Sequence, residues 1–150
     1  MPGSVSDAVS SAAPPTQRSR ALTVAAGLLA AAVVASLGNA VVALLARAAG
    51  ASHDFEPLTP PAYVPLTVIG VLLGAIGWAI VRRVAKNPAG LLRWLAPVVV
   101  VVSFVPDLAL LGGETPGKGA LAVGALMAMH VVVSGVAVLA YRRVLPVPVR

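Results

Sequence analysis

The sequence predicts an all-α fold, a four-helix antiparallel transmembrane bundle. Four apolar runs, at about residues 21–46, 62–81, 92–111 and 120–141, each reach the roughly 20 residues that a helix needs to cross a bilayer. Hydrophobic residues make up 59% of the chain and charged residues 11%, with a mean hydropathy of +0.95. A soluble domain carries about a quarter charged residues, and what remains here cannot cover an aqueous surface. The basic residues gather in short clusters at the ends of the apolar runs, where topology determinants lie.

The same clustering argues against nucleic acid as a partner, despite a net charge of +6 and a pI near 11.2. A nucleic-acid surface needs its basic residues on one face, interleaved with aromatic or polar readers. The absence of cysteine removes disulfides, thiol chemistry, iron–sulfur clusters and Cys-type zinc sites together. An excess of Ala, Val, Gly, Pro and Arg over Lys suggests a GC-rich bacterial genome.

Residues 1–20, rich in Ser, Pro, Ala and Gly, read as a disordered cytoplasmic tail. Residues 21–145 then form one four-pass domain, followed by a short cytoplasmic tail at 146–150. The first run exceeds the apolar core of about 7–15 residues found in a secretory signal, so it reads as an uncleaved helix. Small residues recur along it at Gly27, Ala31, Ala35 and Gly38. A loop with His53, Asp54, Glu56 and three prolines leads to the second run, which ends at Arg82-Arg83. Gly70, Gly74 and Gly77 share one face of that run and suit helix packing by close backbone approach. The turn at 84–90 is short, which makes the second and third helices antiparallel neighbours. The Gly- and Pro-rich loop at 112–119 is a strong turn signal. The fourth run closes at Arg142-Arg143. Trp78, Trp94, Tyr63 and Tyr141 lie mostly near run ends and read as interface anchors.

Orientation follows from the basic residues. Arg18, Arg20, Arg82, Arg83, Lys86, Arg93, Arg142, Arg143 and Arg150 fall on one side of a four-pass chain, and only Arg47 and Lys118 on the other. The positive-inside rule puts both termini in the cytoplasm of a bacterial cell membrane.

Polar residues inside the runs are the candidate site. A charged group at bilayer depth is costly and by default marks function. Asp107 follows Pro106, which removes a backbone donor and frees the carbonyl of Val102. Either the helix continues through this pair with the carboxylate inside, or it breaks there and leaves Asp107 at the outer interface. Ser103 lies one turn before Asp107. His130 lies near the middle of the fourth run, with Ser134 one turn on, and suits either a proton relay or a hydrogen bond between helices. Asn39 and Thr67 complete the set. At ~1.5 Å of rise per residue, Asp107 and Thr67 lie roughly 8 Å from the outer helix ends, Asn39 about 10 Å and His130 about 15 Å. All four thus fall in the outer half.

His53, Asp54 and Glu56 match no metal-site spacing, so no metal and no cofactor is expected. No Walker loop, HExxH, GxSxG or EF-hand pattern occurs, which leaves the familiar enzyme classes without support.

Three stretches carry a likeness: Pro57–Gly74 with its Leu-Thr-Pro and Thr-x-x-Gly-Val, Ser103–Leu111 with Ser-x-x-Pro-Asp, and Ala125–Val136 with Leu-Met-x-Met-His. Together they resemble an uncharacterised actinobacterial family of four-pass membrane proteins, a domain of unknown function, over roughly residues 20–145. The resemblance implies a membrane location and a compact bundle, and it implies no activity.

The reading ranked first is a small integral protein acting as a structural or interaction component, in contact with the lipid bilayer and with a homo-oligomeric or membrane partner. The alternative is a proton-linked carrier or a binder of a small lipophilic ligand that uses an intramembrane Asp/His pair. A membrane enzyme with Asp107 and His130 as acid and base ranks third.

Overall fold

The computed structural model describes residues 16–147. They form four α-helices, α1 (Gln17–Ala48), α2 (Pro60–Val84), α3 (Pro88–Gly112) and α4 (Ala120–Val144), with a 3-10 turn at Glu56–Leu58 and no strand among the described residues. Each helix is long and apolar enough to cross a membrane, which makes this a multi-pass membrane protein with an all-α bundle fold. The parts of the expected tails at 1–15 and 148–150 lie outside the described residues.

The helix ends follow from local chemistry. Helix α1 starts before the apolar run does, at Gln17, because Thr16 caps it. The Thr16 hydroxyl accepts from the Ser19 backbone N–H at 3.3 Å, and Ser19 Oγ returns a hydrogen bond to Thr16 O at 2.7 Å. Helices α2 and α3 each open on a proline, whose missing N–H costs nothing in the first turn. The Asn87 side chain caps α3 by accepting from Gly90 N at 2.9 Å. Arg82-Arg83 and Arg142-Arg143 occupy the last turns of α2 and α4, where a cation complements the helix dipole. Helix α3 runs on through Pro97 and Pro106, so of the two alternatives at Pro106 the helix continues and does not break.

Helix α4 organises the bundle. Its most extensive partner is α1, and it also packs on α3 and α2. Helices α1 and α3 share no substantial interface, so they flank a central α2–α4 pair on opposite sides. The α1–α4 seam is close because α1 presents small residues to it. Ala31, Ala35 and Ala43 are buried, and a Cβ on Gly38 would sit 2.7 Å from Val132 Cγ1. Helix α3 is the least engaged of the four; within it only Pro88, Leu92 and Asp107 are buried.

The loop between α1 and α2 forms a packed lid rather than a plain connection. Phe55 and Leu58 are fully buried in a cluster with Ala43, Ala46, Tyr63 and Leu126. Arg47 Nη2 donates to Leu58 O at 3.1 Å, which ties the lid to α1. Gly117, at φ +68, is required where the α3–α4 loop meets this lid: a Cβ there would lie 2.8 Å from Phe55 N. At the opposite end, the segment after α4 folds back onto α2, where Trp78 Nε1 donates to Leu145 O at 3.0 Å.

Candidate functional site

The thin packing of α3 leaves a cleft of about 720 Å³ between α2, α3 and α4, with Asn39 of α1 reaching its lining. Its walls are mostly apolar. On α2 the wall is kept low by Gly70 and Gly77, next to which a Cβ would meet nothing within 4 Å. Gly74, between them, is different: a Cβ there would press on Tyr141 Oη at 2.6 Å. The glycine face read as a packing surface therefore packs at Gly74 and faces the open cleft at Gly70 and Gly77.

Asp107, His130, Asn39, Ser103, Thr67 and Ser134 all line this one cleft. Asp107 is 7% exposed on α3, and its Oδ2 lies 3.0 Å from His130 Nδ1 on α4. The same ring nitrogen lies 3.0 Å from the backbone oxygen of Leu126, one turn earlier on α4. Nδ1 holds at most one proton, so the carbonyl and the carboxylate compete for it. When Nδ1–H donates to Leu126 O, Asp107 Oδ2 is within ion-pair distance but has no aligned hydrogen bond. With Nε2–H kept on the ring and the other proton on Asp107 instead, Nδ1 can accept from the acid but gives up the carbonyl. The pair thus has two arrangements that differ in where one proton sits. Phe104 sets its ring edge-on to the imidazole, with centroids 6.3 Å apart.

The second polar group is fixed by a chain of donors. Thr67 Oγ1 donates to Tyr63 O at 2.8 Å, which uses its only proton. It can then only accept from Asn39, so the Asn39 amide must turn its Nδ2 to Thr67, at 2.9 Å. Asn39 Oδ1 faces the other way and is buried without a partner. Ser103 turns its hydroxyl back to Val100 O at 2.7 Å, a local bond within α3.

Residues 12–147 match the DUF6069 family, a family of unknown function. The chain belongs to that family. Comparison with curated proteins and with solved structures gives no match. Membership in DUF6069 brings no activity with it, so the chemistry has to be read from the cleft.

Three aromatic residues of this DUF6069 chain are placed differently from the sequence reading. Tyr63, Trp78 and Tyr141 are buried rather than set at the membrane interface. Trp78 and Tyr141 pack with centroids 5.6 Å apart, and the Tyr141 hydroxyl donates to Val71 O. The polar atoms of Trp78 and Tyr141 are satisfied by backbone carbonyls, of Leu145 and Val71, which a position near a helix end does not reveal. Trp94, 68% exposed, alone keeps a position open to lipid. Among the described residues no group of three or more His, Cys, Asp or Glu side chains gathers as a metal site, and His53, Asp54 and Glu56 form none.

Proposed function

We propose that this protein, in the cell membrane of a bacterium and with both termini cytoplasmic, binds a small lipophilic molecule in the cleft between α2, α3 and α4. The observation that supports this reading is the coincidence of a large apolar recess with two buried acceptors that receive no hydrogen bond, Asn39 Oδ1 and Asp107 Oδ2, the second at ion-pair distance from His130. Apolar walls with a few convergent polar groups are the usual make-up of a ligand site. Because both atoms are acceptors without a hydrogen bond, the fitting ligand carries hydrogen-bond donors, as an alcohol, amide or ammonium does. The Asp107–His130 pair can take or release one proton as such a group docks, which links binding to pH.

The test is thermal unfolding of the purified chain in detergent, from about pH 5 to 9, with aliphatic amines, alcohols and carboxylates of matched length. Amines and alcohols are expected to raise the unfolding midpoint and carboxylates to leave it unchanged. The Asp107→Asn variant should lose both the preference for amines and the dependence on pH. Equal shifts with all three head groups would refute the reading.

A second reading, an interaction subunit, draws on the unpartnered face of α3, where Val98, Val101, Val102 and Val105 are exposed in a row. A partner helix or a second copy seated on that face would bury it. Crosslinking in membranes from a cysteine placed at Val101, which should capture a neighbour only if that face is covered by protein, tests it.

A further inference from the structure

A second recess, of about 560 Å³, lies at the other end of the bundle between the first turns of α3 and the last turns of α4. Arg93 and Arg142 stand at it, Trp78 forms one wall, and Ala96, Pro97 and Val138 supply apolar surface. Trp78 has its N–H committed to Leu145 O, so it offers only its ring.

Among the described residues this end of the molecule has cations and no acidic side chain. Arg82, Arg83, Lys86, Arg93, Arg142 and Arg143 all belong to it, whereas Asp54, Glu56 and Glu114 lie in the loops at the opposite end and Asp107 lies beside His130. Among the described residues the one ion-pair contact is that between Asp107 and His130. Arg82, one turn beyond Trp78, has a buried Nε without any acceptor. Guanidinium groups pair bidentately with phosphate oxygens, and basic recesses between membrane helices take anionic head groups.

The geometry points to a binding site for an anionic phospholipid at the α3–α4 seam, its phosphate held by Arg93 and Arg142 and an acyl chain laid over Ala96, Pro97 and Val138. A free phosphate would match the arginines but leave the apolar part of the recess uncovered. Trp78, Leu92, Ala96 and Val138 also line the larger cleft, so the apolar path for the chain continues into the bundle. The head-group end of this site uses none of Asp107, His130 or Asn39, so it does not rest on the donor-bearing ligand proposed above.

The chain has two tryptophans, so Trp94→Phe leaves Trp78 as a single reporter in the recess. The protein in this background is reconstituted in phosphatidylcholine vesicles containing rising fractions of brominated phosphatidylglycerol or brominated phosphatidylcholine. Half-quenching of Trp78 is expected at an about fivefold lower fraction of the anionic lipid, the scale of one arginine near an anionic head group. Arg93→Gln/Arg142→Gln should erase that difference, with each single variant giving a partial loss. Arg83→Gln/Arg143→Gln, which removes the same charge outside the recess, should keep it. Equal quenching by the two lipids overturns the proposal, as does an equal loss in both double variants, which would mark a diffuse surface potential. Relief of the quenching by buffered inorganic phosphate overturns the choice of a lipid over a free anion.

Discussion

Thr67 has a single hydroxyl proton, and its bond to Tyr63 O decides everything that follows at that position. It orients the Asn39 amide and joins α1 to α2 at bilayer depth, where no water is available to replace a lost partner. Thr67→Val keeps the volume but leaves Asn39 Nδ2 without an acceptor, and Asn39→Leu removes both groups of the amide at once. A double-mutant cycle between these positions, read by unfolding in mixed micelles, should give a coupling of about 0.6–1.7 kcal/mol, the range seen for hydrogen bonds between membrane helices. Zero coupling would mean that the two side chains do not meet in the membrane. Thr67→Val should also cost more than Asn39→Leu/Thr67→Val, because a buried donor left alone is worse than an apolar pair.

At the scale of the helix, two stripes of small residues have opposite fates. The α1 stripe of Gly27, Ala31, Ala35 and Gly38 is packed against α4, with Gly27 set against Val144 and Gly38 against Val132. The α2 stripe of Gly70, Gly74 and Gly77 meets only Tyr141, at its centre, and otherwise borders the cleft. Sequence spacing identifies both stripes, but it cannot tell them apart. The difference depends on how far α3 stands from α2, and that distance is set by the few residues α3 buries. The four spans were legible because apolar length is a local property, whereas the Thr16 cap, which starts α1 four residues before the apolar run, was not read. The gathering of Asp107, His130, Asn39 and Thr67 was legible because depth along a helix can be counted. The buried tyrosines and tryptophan were not, because burial near a helix end depends on which neighbour arrives. The contrast between the stripes is measurable. Gly74→Ala should destabilise by about 1–3 kcal/mol, since Tyr141 must leave Val71 O to make room. Gly70→Ala, facing open space, should be neutral or stabilise by up to about 1 kcal/mol. Gly70→Leu/Gly77→Leu should fold normally while abolishing the midpoint shift produced by amines, because the added side chains occupy the cleft.

For the molecule as a whole, the charge asymmetry and the polar depth argue for one orientation. The arginine pairs at the ends of α2 and α4 and the Lys86 turn lie at one end, and the lid with Phe55, Leu58 and Arg47 lies at the other. Basic residues near span ends are retained on the cytoplasmic side, so the lid should face outward and the Asp107–His130 pair should lie in the outer half of the bilayer. The polar end of the cleft would then meet its ligand at the depth of the outer leaflet, and the arginine recess would draw its lipid from the inner one. The chain contains no cysteine, so single substitutions report without interference. Ser52→Cys in the lid should react with a membrane-impermeant maleimide on intact cells, whereas Lys86→Cys in the α2–α3 turn should react only after the cells are opened. The reverse pattern would place both termini outside, move the Asp107–His130 pair to the inner half, and put the arginine recess in the outer leaflet. Labelling of both positions on intact cells would instead mean that the four helices do not all cross, and the cleft would then have to be read as part of a different assembly.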